Sequence, residues 1–181
     1  MRERVLINKT VVALISLALL VAVTLAGCEG YPDLTSLARS PFKAEVVGTV
    51  DGIELCGEIY CDPTPHSSDD VYERLTVSFT SPATLSGMTV SLRSDGKGYV
   101  RLGDTVAEDG WFADMAYPFL FVCPSGEPLR IDNDGEEIVA VFDGGEGNLT
   151  YTFDQSGNLK RVSGAVGDRE IDLKVKIEEQ K

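Results

Sequence analysis

Histidine, clustered carboxylates and cysteine are the side chains of this 181-residue sequence that could do chemistry. Its one histidine, His66, lies in the run Asp62-Pro63-Thr64-Pro65-His66-Ser67-Ser68-Asp69-Asp70. A serine–histidine–aspartate relay needs a buried, oriented imidazole beside an oxyanion hole, whereas two prolines in a polar run describe an exposed loop. One histidine also argues against a histidine-rich catalytic zinc site. Asp62, Asp69, Asp70 and Glu73, and separately Asp132, Asp134, Glu136 and Glu137, offer the hard oxygens that calcium takes. The second set fails the spacing of a helix–loop–helix calcium loop, because Arg130 stands at the first ligand position and Val141 at the bidentate glutamate. A hairpin turn at Asn133-Asp134-Gly135 explains it without a metal. Gly144-Gly145-Glu146-Gly147 lacks the Lys-Ser/Thr that follows a phosphate loop and reads as a hairpin tip. The expectation is a protein with no catalytic residue, no metal and no cofactor, hence not an enzyme.

The aromatic residues carry a different kind of chemistry. Trp111, Phe112, Tyr117, Phe119 and Phe121 gather five of the fourteen aromatic residues into one stretch. Such a cluster serves as core, or it lines a cavity in which a lipid tail or an apolar peptide binds. The candidate ligand-binding residues are Trp111, Phe112, Met115, Phe119 and Phe121.

These residues must be positioned by a β-rich domain. Leu75, Val77 and Phe79 alternate with Thr76, Ser78 and Thr80, and Met88, Val90 and Leu92 alternate with Thr89, Ser91 and Arg93. The same period of two runs through Leu149, Tyr151 and Phe153, and through Ile171, Leu173, Val175 and Ile177. That period marks strands with one buried and one wet face. Glycine and Asx residues punctuate the runs at Ser94–Gly98, Asn133–Gly135, Gly144–Gly147, Gln155–Asn158 and Gly167-Asp168. Short hairpin links make neighbours in sequence neighbours in the sheet, an antiparallel meander. Asp104–Tyr117 is the best helical candidate, with Trp111 and Met115 at i,i+4 and Pro118 as a stop; a second short helix is expected near Leu34–Arg39. A wide sheet with one apolar face has only these helices to bury it. The predicted fold is therefore mainly β (α+β), a strongly curved antiparallel half-barrel with one or two short helices in its concave face.

The N-terminus reads as an export signal. Basic Met1-Arg2-Glu3-Arg4 precedes an apolar run from Val11 to Leu25, shorter than the ~20 residues a membrane span needs, and the run ends in Leu25-Ala26-Gly27-Cys28. This resembles the lipobox of bacterial lipoproteins. The resemblance implies a signal peptide over residues 1–27, cleavage before Cys28 and acylation of that thiol. It also implies residence on the extracytoplasmic face of a cell membrane, held there by the acyl chains. Residues 28–40 then form a polar tether, and 41–181 a single domain. Removal of Arg2, Arg4, Lys9 and Glu3 from the 16 basic and 29 acidic residues leaves 13 against 28. Scattered basic residues in so acidic a chain exclude a nucleic-acid partner and oppose adsorption to anionic lipid. Three cysteines would remain: Cys56, Cys61 and Cys123. Cys56 and Cys61 are five apart on one strand, point to opposite faces and should not pair. A bridge from Cys123 to Cys61, a bridge to Cys56, and three reduced packing thiols all fit the spacing.

Leu75–Pro82, Thr84–Leu92, the Asp95-Gly96 hairpin, Tyr99–Leu102 and the Trp111-Phe112 segment together resemble Lol-type lipoprotein carriers and receptors. That resemblance implies a half-barrel whose concavity accepts acyl chains. This chain departs from it by placing no basic residue in the mouth segment. Two functions follow as expectations. One is an envelope binding module for an acyl chain, lipoprotein or apolar peptide; the other is a structural or assembly lipoprotein that docks an envelope protein and holds no small ligand.

Overall fold

A computed structural model describes residues 31–64 and 71–178. The signal peptide, Cys28, His66, Asp69 and Asp70 lie outside the described residues. The chain divides between Tyr31 and Pro32, and Pro32–Lys181 forms one compact unit. Its described residues contain an antiparallel sheet of eleven strands: β1 Phe42–Val50, β2 Ile53–Cys61, β3 Glu73–Ser81, β4 Met88–Arg93, β5 Gly98–Leu102, β6 Thr105–Glu108, β7 Arg130–Asn133, β8 Glu137–Asp143, β9 Asn148–Asp154, β10 Leu159–Val166 and β11 Arg169–Ile177.

The spatial order β6-β5-β4-β3-β2-β1-β11-β10-β9-β8-β7 is two meanders joined through the first and last strands. Ala44 pairs with Ile177 and Val50 with Ile171, so the C-terminal strand sits in the middle of the sheet. β6 and β7 are the two edges, and the sheet is not closed. The expected alternation is present: Leu75, Val77 and Phe79 are buried, as are Leu149, Tyr151, Phe153, Ile171, Leu173 and Val175. On the outer face Lys176 pairs with Glu45 at 3.1 Å, and Arg161 binds Asp172 through two contacts of 2.6 Å. Exposed pairs of this kind contribute at most about 1 kcal/mol each. The core comes from the apolar face.

Hairpin chemistry sets the register. Asp51 and Gly52 both have positive φ, 51° and 75°, between the paired residues Val50 and Ile53. That two-residue turn has the twist that joins antiparallel strands, and aspartate followed by glycine tolerates it. Asp134 stabilises the β7–β8 turn by accepting the backbone N–H groups of Glu136 and Glu137, each at 2.9 Å. The hairpin expected at Asn133–Gly135 is present, and Asp132 beside it pairs with Arg130 at 2.8 Å.

The helix differs from expectation at both ends. It starts at Gly110, capped by Asp109, whose side chain accepts the Trp111 N–H at 2.9 Å. Residues Thr105–Glu108 are instead β6, an edge strand exposed at every position. An edge strand with no buried face lacks alternation, so its sequence carries no strand signal. Nor does Pro118 stop the segment. The α-helix α1, Gly110–Ala116, runs straight into 3₁₀ structure over Tyr117–Val122 with Pro118 in its first turn. Pro118 has no N–H to offer the Asp114 carbonyl, and the α ladder gives way to 3₁₀ geometry at that point. The second helix expected near Leu34–Arg39 is a short 3₁₀ turn, Ser36–Ala38, with Leu34 buried beside it in the core.

Gly98 seats the helix. A Cβ at this position in β5 would overlap the Ala113 backbone nitrogen, so only glycine lets α1 lie directly on the strand. α1 then packs against β3, β4 and β5, and the 3₁₀ continuation reaches β3 and β11. Ala116, Phe119 and Val122 are fully buried by this arrangement.

Candidate functional site

The helical segment of residues 110–122 has two flanks, and the five candidate residues are divided between them. On the first flank Trp111, Met115 and Phe119 meet Leu55, Phe79 and Leu85 around a recess of about 190 Å³. Phe119, 1% exposed, forms the floor; its ring meets Phe79 edge-on, with centroids 5.9 Å apart and planes at 72°. Trp111 is on the rim. It is 62% exposed, with Phe112 edge-on beneath it at 5.3 Å. Phe112 itself turns toward the sheet as a half-buried core residue and does not line the recess. Phe121 faces the other flank with Tyr117, ring centroids 5.3 Å apart. The aromatic stretch is thus part floor, part rim and part core.

Two hairpin tips complete the rim. Asp51, from the β1–β2 turn, accepts Arg169 Nη1 at 2.7 Å and the Glu170 N–H at 2.9 Å. The Glu170 N–H and then the Arg169 guanidinium hold the Asp51 carboxyl below the usual carboxylate range. Asp51 in turn raises Arg169, with smaller contributions from Asp168 and Asp114. The cation at the mouth is therefore neutralised and outnumbered by carboxylates, a poor seat for an anionic head group. Ile53, 59% exposed, adds a second apolar side chain to the mouth.

Ile53, Leu55, Phe79, Leu85 and the Asp51–Arg169 pair are the parts of this site that the sequence does not reveal as a group. Asp51-Gly52 and Gly167-Asp168 each signal a hairpin tip. What brings the tips together is the long-range pairing of β1 with β11.

The second flank is polar where the first is apolar. Tyr117, Phe121, Arg74, Cys61 and Cys123 line a pocket of about 320 Å³. Beside it, the buried Tyr151 hydroxyl donates to the Phe121 carbonyl at 2.7 Å, and burial pushes the phenol pKa up. Among the described residues no three of histidine, cysteine, aspartate and glutamate converge to hold a metal ion. Also among the described residues, no helix is long and apolar enough to cross a membrane. The recess at Trp111 can exclude water from a slender apolar group and offers it aromatic contacts; it presents no nucleophile and base to a reacting atom. No protein-family model matches the chain, and no curated protein matches it at a significant level.

Proposed function

We propose that this protein is a non-enzymatic binding module of the cell envelope. On this reading acyl chains on Cys28 anchor it to the extracytoplasmic face of a membrane, and it takes a slender alkyl group into the recess at Trp111. The observation that carries the binding reading is a tryptophan 62% exposed above a recess floored by Phe119 and Phe79. A large exposed aromatic over an apolar hollow leaves favourable burial unused until a ligand covers it. A volume of about 190 Å³ lies below the 300–1,000 Å³ range of ordinary ligand sites. It suits a chain end or a single apolar side chain, not a whole lipid.

The half-barrel belongs to the same proposal. One apolar face runs across the sheet between its edge strands, and the helical segment that covers it touches β3–β5 at one end and β11 at the other. Curling around that segment is how so wide a face would escape water. The anchor rests on Leu25-Ala26-Gly27-Cys28 after its apolar run.

The structural or assembly reading draws on a different observation: Ala116, Phe119 and Val122 are fully buried as core. Native mass spectrometry of the protein extracted from its source membrane separates the two. A co-purifying alkyl-chain adduct lost in Trp111→Ala supports the binding module; a protein partner and no adduct supports the structural reading. Cys28→Ser should release the protein from the membrane fraction. A membrane-bound Cys28→Ser protein, with an unmodified Cys28 peptide in the parent, overturns the anchor.

A further inference from the structure

The second flank holds two thiols that the binding reading does not use. Cys61 ends β2, 2% exposed on the inner face, paired with Phe42 on one side and Leu75 on the other. Cys123 follows the last 3₁₀ residue, Val122, and its N–H is fixed on the Leu120 carbonyl at 3.1 Å. The two thiols open onto the same pocket of about 320 Å³. Cys56 lies elsewhere, half-buried among the residues of β2 that alternate with the core side chains Leu55, Ile59 and Cys61.

We propose that Cys61 and Cys123 are a disulfide-forming pair, oxidised by a small disulfide that enters this pocket, and that the bridge ties the end of the helical segment to β2. The inference is independent of the alkyl recess and of the anchor. It chooses among the three arrangements of Cys56, Cys61 and Cys123 that spacing alone leaves open.

The environment assigns each sulfur its step. Cys123 is half-buried, and the Cys61 S–H followed by the Arg74 guanidinium lowers its pKa. The Cys123 S–H donates to the Leu37 carbonyl at 3.3 Å, a bond that deprotonation gives up. Cys61 is pushed up by its hydrogen bond to Cys123 and by burial. The thiolate is the attacking species in exchange; Cys123, half-buried where Cys61 is 2% exposed, is the sulfur an oxidant reaches first, so Cys123 attacks first. Its sulfur bonds to one sulfur of the oxidant R–S–S–R, and the oxidant's S–S bond breaks to release one R–S⁻, which takes up a proton. Cys61 then loses its proton and attacks the Cys123 sulfur of the mixed disulfide, expelling the second R–S⁻, which is protonated in turn. Two protein thiols and one disulfide become one protein disulfide and two small thiols. The two protein sulfurs are oxidised as the oxidant is reduced.

Full-length protein is incubated in native buffer with oxidised glutathione, alkylated with iodoacetamide and mapped by peptide mass spectrometry without reduction. The expected result is one linked peptide pair joining Cys61 to Cys123, lighter than the sum of its parts by two hydrogens, with Cys56 alkylated. Cys123→Ala should abolish the pair and trap no bridge, while Cys56→Ala should leave it unchanged. If Cys61→Ala fails to fold, Cys123→Ala, at a half-buried position, carries the test. Alkylation of both Cys61 and Cys123, a bridge to Cys56, or a Cys61–Cys123 bridge that appears only in denaturant overturns the proposal.

Discussion

On one flank of the helical segment, Trp111 stands 62% exposed over an apolar recess. On the other, Tyr151 holds the Phe121 carbonyl and the Leu37 carbonyl lies 3.3 Å from the Cys123 sulfur. One flank leaves apolar surface unsatisfied; the other satisfies its polar groups and secures the chain. A short helix on a wide sheet needs both properties to bind anything. It must be held firmly enough that its exposed aromatic does not simply collapse into the hollow beside it, because an empty apolar recess sacrifices dispersion contacts. The firm flank supplies that constraint.

The largest effect should come from removing what both flanks rest on. β11 lies between β1 and β10 and buries Ile171, Leu173 and Val175, each contributing about 1.5–3 kcal/mol. A domain with about 5–15 kcal/mol of net stability cannot lose that strand. Truncation before Ile171 should abolish cooperative unfolding in a thermal melt, and a truncated chain that melts like the parent would refute the central placement of β11.

Next in size is the floor. Phe119→Ala should cost about 3–5 kcal/mol in denaturant unfolding, as for a large buried ring, and should enlarge the recess. The firm flank should respond more mildly: Tyr151→Phe removes the donor to the Phe121 carbonyl and should cost about 1–3 kcal/mol. Equal losses at the two positions would erase the distinction between a packed floor and a hydrogen-bonded tie. Trp111→Ala should cost only about 0.5–1.5 kcal/mol, the scale of its edge-on contact with Phe112.

Acid should have the smallest effect. Hydrogen bonds, led by the Asn158 side chain, hold Asp154 down at about 2, and Asp51 is lowered by the Glu170 N–H and Arg169. A carboxyl depressed in the folded state adds stability above its unfolded value near 3.9, lost as pH falls through the folded value. The melting temperature should therefore hold above pH 5 and decline between about pH 4 and pH 2. Because both carboxyls still reach solvent, screening keeps the decline shallow. Asp154→Asn should flatten it.

Much of this was legible in the chain, and the failures have physical causes. Strands with one buried face announced themselves through alternation, as in Leu149–Phe153 and Ile171–Ile177. β6 did not, because an edge strand exposed throughout has no buried face to encode. The helical segment runs past Pro118 because the proline ends the α ladder there without ending 3₁₀ geometry. Of the five aromatic and methionine candidates, Trp111, Met115 and Phe119 meet in one recess, while Phe112 and Phe121 point elsewhere. The three that meet follow an i,i+4 series, 111, 115 and 119, the spacing of one helix face. Helical geometry continues through the change from α to 3₁₀ at Tyr117, so a reading that stops the helix at Pro118 leaves Phe119 off the face it shares with Trp111 and Met115. Asp51 and Arg169 come together only through the β1–β11 pairing, a contact between the two ends of the domain.

The central claim is that the recess at Trp111 takes an alkyl chain end, and the lone tryptophan reports on it directly. Emission of the full-length protein should be followed while neutral alkyl maltosides of increasing chain length are added below their micelle concentrations. The account predicts a saturable shift or quench that strengthens with chain length until the recess is filled. Phe119→Ala, if folded, should move that limit to longer chains, and an alkyl sulfate should bind more weakly than the neutral amphiphile of equal length, because the mouth is acidic. A folded protein whose Trp111 emission shows no saturable change with any chain length would contradict the binding module and leave the structural reading standing.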